Sequence, residues 1–138
     1  MPTSPLPDDL REMLARPNPA VMATVASDGR PVTVATWYLL EDDGTILLGL
    51  DAGRARLEHL RRDGRVSLTA LEEGNWYTHV SVQGRVTSIA DDEGLRDIDR
   101  LSQHYTGNDY PNRKNARVTV HVSIDRWHGW SNGSSVDG

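Results

Sequence analysis

Residues 45–71 read TILLGLDAGRARLEHLRRDGRVSLTAL, and this stretch decides how the rest of the chain is read. Thr45 to Leu50 is an apolar, β-prone run, and Arg65 to Leu71 is another. Between them Asp51 and Gly53 break the first run and offer a helix cap, and a short basic helix follows. Arg54 and Arg56 fall in its first turn, where free backbone N–H groups and the positive end of the helix dipole favour a phosphate or carboxylate. Guanidinium forks bind such groups bidentately. The plainer reading is a solvated surface helix in which Arg54 pairs with Glu58 at i,i+4.

Working outward, the segments on both sides alternate with period two. Asp8 to Ala15 reads as a short helix ended by Pro17, and Ala20 to Val25 as a strand turned by Asp28-Gly29. Pro31 to Leu40 (PVTVATWYLL) reads as the second strand, returned by Glu41 to Gly44 into Thr45 to Leu50. Tyr77 to Ile89 is a long fifth strand, and Gly84 within it marks a bulge or a close approach to the backbone. Asp91, with Asp92 and Glu93, caps a helix running to about Tyr105. A loop from Thr106 to Asn115 leads to the sixth strand, Arg117 to Asp125, with Val118, Val120, Val122 and Ile124 on one face. The expected architecture is mainly β with short helices: a six-stranded antiparallel barrel whose closure removes exposed edges. One domain spans 1–138, with an ordered core over about 8–130 and a polar, flexible tail from 131 to 138.

Composition excludes several function classes. With 15 Lys plus Arg against 20 Asp plus Glu, the net charge of −5 gives no global field for nucleic acid or an anionic membrane. The absence of cysteine removes disulfides, thiolate catalysis and cysteine-ligated metal. His59, His79, His104, His121 and His128 lack HxH or HxxxH spacing, so no metal site is expected. No GxGxxG, GxxxxGK[ST] or GxSxG motif occurs, and no membrane span or signal peptide is read, so a cytoplasmic protein is expected. No catalytic residue is assigned. Phenylalanine is absent, so every aromatic is one of 4 Trp and 4 Tyr, each with a polar handle.

The order GRPVTVATWYL, hairpin, RARLEHLRRDGRVSL, VQGRVTSIAD and RVTVHVSIDRWHGW resembles the flavin-binding split barrels, the pyridoxamine 5'-phosphate oxidase-like superfamily. Within it the chain is most similar to the branch that binds the deazaflavin coenzyme F420. The resemblance covers about Asp8 to Trp130. It implies a homodimer with cofactor sites at the subunit interface, and a hydride transfer between coenzyme F420 and a small conjugated substrate, biliverdin-like or quinone-like. An FMN-dependent oxidase or reductase of the same fold is the alternative, and a non-enzymatic flavin- or haem-binding protein is another.

By resemblance, Arg54 and Arg56 match the positions that hold the cofactor phosphate, His59 stands where Asn is common, and Gly64 where Pro is common. Thr33, Val34, Ala35, Thr36 and Trp37 match the strand along which the flavin-like ring lies, although Trp37 suits a core position equally well. Arg61, with Arg62 and Arg65, extends the basic surface toward the deazaflavin's anionic tail or is simply a solvated face. Trp76 and Tyr77 are placed to cover a ring or substrate. Tyr110, Asn112, Arg113 and Lys114 lie in a loop that either crosses to the partner subunit or is an ordinary connection.

Overall fold

The computed structural model describes residues 5–131 and 134–138. In chain order the elements are α1 (Asp8–Leu14), β1 (Ala20–Val25), β2 (Pro31–Thr36), β3 (Leu39–Leu40), β4 (Ile46–Asp51) and α2 (Ala55–Arg62). Then come β5 (Arg65–Glu72), β6 (Asn75–Asp91), a 3-10 turn (Glu93–Leu95), α3 (Arg96–Thr106), β7 (Arg117–Ser131) and β8 (Ser134–Asp137). All strand pairs are antiparallel, in the order β2-β1-β5-β6-β7-β4-β3, with β8 beside β7.

This differs from the expected closed, six-stranded barrel in two ways. Eight strands form among the described residues, and the sheet runs open from β2 to β3. The cause lies at Trp37 and Tyr38, inside the run read as one strand. Tyr38 is fully buried and donates its hydroxyl to the Leu14 carbonyl at 2.6 Å. That inward turn ends the ladder with β1 at Thr36, and Leu39–Leu40 then pairs with β4 instead. One continuous segment, Pro31 to Leu40, thus supplies both edges of the open sheet. Ser134–Asp137, within the segment read as a tail, pairs with β7, while residues 132 and 133 lie outside the described residues.

Side-chain alternation divides the sheet's two faces. Ile46, Leu48 and Leu50 of β4 join Val118, Val120 and Val122 of β7 in the barrel interior, with Met22, Leu68, Val80 and Val82. Each such buried aliphatic side chain contributes roughly 1.5–3 kcal/mol of transfer free energy. Gly84 sits at a register shift in the β6–β7 ladder, where a Cβ would lie 1.5 Å from the Ser123 carbonyl oxygen. The expected close approach at this glycine is therefore present, and no side chain fits there.

The outer face of β4 carries a smaller core. Leu47 packs against Ile98 and Leu101 of α3, flanked by Trp37, Leu39, Leu95 and Tyr110. Asp92, rather than Asp91, starts this helix: its carboxylate accepts the Asp97 and Ile98 amide N–H groups, both at 2.8 Å. Asp91 remains in β6. The docked α3 creates the wall of the candidate site.

Candidate functional site

The β4–α2 junction builds a small arginine cluster. Asp51, the last residue of β4, pairs across the ladder with Arg117, the first of β7. The Asp51 carboxylate accepts the Gly53 N–H at 3.1 Å and the Asn115 side-chain amide at 2.9 Å. Those bonds, led by the Gly53 amide, hold its carboxyl below the usual range. The expected helix cap at Asp51 is absent: it folds the turn, Arg54 occupies the N-cap position, and no side chain caps α2. The expected Arg54–Glu58 pair is absent too, because Glu58 approaches Arg61 at 4.0 Å.

Three guanidiniums share this corner. Burial first, then the like charges of Arg54 and Arg117, push the Arg56 side chain below its ordinary value. Both Arg56 Nε and Arg117 Nε are buried without a hydrogen-bond partner. A buried donor left unmet costs about 1–3 kcal/mol, more when charged. A phosphate or carboxylate would satisfy those donors and relieve the repulsion, and its charge would suit the open first turn of α2. The donor set therefore fits an anionic cofactor group.

Beside the cluster lies a cleft of about 620 Å³ whose walls include Trp37, Gly49, Ile98, Leu101, Tyr105, Tyr110 and Arg117. Trp37 stacks on Tyr105, with ring centres 5.3 Å apart and planes 10° from parallel, and meets Tyr110 edge-on at 6.2 Å. It packs on the outer core and also lines the cleft. Tyr105 donates its hydroxyl to the Asn18 carbonyl at 2.8 Å, and burial pushes its phenol up to about 12. It is a protonated wall rather than a titrating group at neutral pH.

The residues singled out in the sequence fall into separate groups. Ala35, Thr36 and Trp37 border the cleft, whereas Thr33 does not and Val34 turns into the barrel core. His59 faces β1, where its Nδ1 lies 2.9 Å from the buried Thr24 hydroxyl, so it ties α2 to the sheet. Arg61 is exposed on the outer side of α2. Trp76 and Tyr77 stack on each other at 4.3 Å near the β5–β6 hairpin, 60% and 64% exposed, and neither lines the cleft. The Tyr110–Lys114 loop is fastened to α3, with Arg113 donating to Asp99 at 2.6 and 3.1 Å and the Tyr110 amide at 3.0 Å. No group of three metal-ligating side chains converges among the described residues.

Sequence reasoning missed Arg117, Tyr105 and Gly49. A signal for the first existed: the alternation of RVTVHVSI places Arg117 opposite in face to the core valines. Its proximity to Arg56 depends on the long-range β4–β7 register, which no local pattern contains.

Comparison with known proteins gives the following. The family model described as pyridoxamine 5'-phosphate oxidase matches residues 6–131. A solved structure named F420 reductase is 24% identical, with 88% of this chain and 98% of that chain covered and a TM-score of 0.80. A conserved hypothetical protein of Mycobacterium tuberculosis is 26% identical over 93% of this chain and 86% of its own, at a TM-score of 0.71. HupZ of Group A Streptococcus is 13% identical over 96% of this chain and 99% of its own, at 0.69. No curated protein matches the chain.

Proposed function

The chain belongs to the pyridoxamine 5'-phosphate oxidase family, and within it we propose an oxidoreductase that binds the deazaflavin coenzyme F420 and transfers hydride to or from a small conjugated substrate. The observation that carries this reading is the buried, unpartnered Arg56 Nε–H at the start of α2, next to Arg54 and beside an aromatic cleft. A flavin-type cofactor has the matching parts, an anionic phosphate and a flat ring. When bound, the deazaflavin supplies a hydride-carrying ring carbon that can reduce a polarised C=C or C=N bond.

The chain's own residues supply binding, orientation and shielding. Arg54 and Arg56 hold the phosphate at the start of α2. Ala35 and Thr36, with the Trp37–Tyr105 stack, bound the space for a ring, while Ile98 and Leu101 give it a dry wall. Arg61 and Arg62, both exposed on the last turn of α2, offer charge to an anionic tail longer than a single phosphate. That feature, with the likeness to a protein named F420 reductase, is what supports the deazaflavin over FMN in this proposal. The proposal includes a homodimer with cofactor at the interface, in which β2, a sheet edge with Thr33 and Ala35 exposed, faces the partner.

The test is a pair of fluorescence titrations, coenzyme F420 and FMN at matched ionic strength, followed by turnover of quinone-like and tetrapyrrole acceptors with reduced cofactor. Tighter binding of the deazaflavin, with turnover, is expected. A preference for FMN moves the chain to the FMN-dependent reading, and binding without turnover makes it a carrier.

A further inference from the structure

Arg117 stands apart from the other two arginines of its cluster. Arg54 and Arg56 belong to the α2 end alone, whereas Arg117 also forms part of the cleft wall. Its guanidinium carbon lies 4.9 Å from the centre of the Tyr110 ring, an arrangement that favours a flat, desolvated cation. Gly49 also borders the guanidinium: a Cβ there would lie 3.9 Å from it, an ordinary contact, but only 2.9 Å from Leu101, so the glycine is what lets α3 pack this close to β4. Asp51, the cross-strand neighbour of Arg117, is close enough for its charge to act on Arg117 but makes no ion pair with it, its carboxylate oxygens bonding Gly53 and Asn115 instead. Arg117 Nε remains buried and unpartnered.

We propose that Arg117 anchors a carboxylate carried by a planar, conjugated substrate that shares the cleft with the cofactor ring and lies on its Tyr105–Tyr110 side, a role separate from holding the cofactor phosphate. The inference rests on the cofactor reading above for calling this ligand the substrate. Flat aromatic walls select a conjugated framework. The single guanidinium at the cleft's edge selects an anion, and its planar fork matches a carboxylate's two oxygens. A neutral amide of the same shape would fill the walls and offer one acceptor oxygen, but it carries no charge and meets only one arm of the fork, which makes charge the discriminating feature.

The experiment follows intrinsic tryptophan fluorescence while the cofactor-free protein is titrated with 2-naphthoate and with its neutral isostere 2-naphthamide. Coenzyme F420 is titrated in parallel, with wild type and Arg117→Met. Wild type is expected to bind the carboxylate at least about tenfold more tightly than the amide, the low end of what charge-assisted bonds give. In Arg117→Met that ratio should fall below about threefold, with coenzyme F420 affinity changed by less than about threefold. Should circular dichroism show that the Met variant is unfolded, Arg117→Lys replaces it: charge without the fork is expected to lower the ratio only in part.

Equal affinity for the two probes in wild type, or no binding of either, overturns the proposal. So does an Arg117→Met variant that keeps the probe ratio while losing coenzyme F420, which would make Arg117 a third arm of the phosphate clamp. A wild type that prefers naphthoate but ignores coenzyme F420 supports the anchor and refutes the cofactor reading.

Discussion

Two groups of arginines in this chain have opposite surroundings. On the α3 face Arg100 is held by Glu41 at 2.5 Å and by Asp97 at 3.3 Å, and Arg113 is forked onto Asp99. At the α2 corner the Nε donors of Arg56 and Arg117 are buried and meet no acceptor of the chain. The first group is complete within the folded chain, so its charges fasten a helix and a loop. The second is left incomplete by the chain itself, and that is the opening the proposed anionic ligands would fill. Residue type alone does not separate the two; the partner list does.

The comparison breaks first at the α2 corner. Replacing Arg54 and Arg56 together by Ala should weaken coenzyme F420 binding by roughly 3 kcal/mol or more, about a hundredfold, since charge-assisted bonds contribute about 1.5–3 kcal/mol each. Thermal stability should be unchanged or higher, because the double variant removes like-charge repulsion rather than a bond. Parallel fluorescence titration and calorimetry measure both quantities.

A step down in size is Gly49→Val. Its branches collide with Leu101 and Ile98 on the outer core, and overpacking of this kind costs about 1–3 kcal/mol in a urea melt. The same variant fills the cleft and should abolish binding of planar ligands. On the complete side of the comparison, Arg113→Ala should change a urea melt little, as loss of an exposed ion pair does, with cofactor affinity unaltered. A large loss of cofactor binding in Arg113→Ala would erase the distinction between the two groups.

The smallest expected effect is in the pH dependence of stability. The Tyr105 phenol is raised in the folded state to about 12 from an ordinary value of 10, mainly by burial. Its contribution is therefore fully present below about pH 10 and is lost as pH rises toward 12, because only the unfolded chain ionises freely in that window. Tyr38 is shifted in the same direction by burial and adds to the loss. Urea melts at pH 8 and pH 11 should show a smaller drop for Tyr105→Phe than for wild type.

How much of this was legible in the sequence differs between the two faces of the sheet. The core face was readable, because Val118, Val120 and Val122 or Ile46, Leu48 and Leu50 repeat at the strand period and point to a single apolar interior. The β2–β3 break was not, since Trp37-Tyr38 is β-prone locally and leaves the ladder only because the Tyr38 hydroxyl finds Leu14 in α1. The arginine pair of α2 was visible from spacing alone, and its flanking strands and helix formed where expected. His59 looked like a site residue from its place in the helix, but its partner, Thr24, is 35 positions away on β1. Arg117 shows the general reason: a site assembled across the β4–β7 register is written in pairings between distant segments, not in any window of residues.

The central claim is that Arg54 and Arg56, at the start of α2, receive a flavin-type phosphate. A crystal structure of the protein with coenzyme F420 tests it most directly. The account predicts the phosphate within hydrogen-bond distance of the Arg54 and Arg56 side chains, with the ring beside residues 35–37. A phosphate lodged instead against Arg100 or Arg113, with Arg56 Nε still unpartnered, would contradict it.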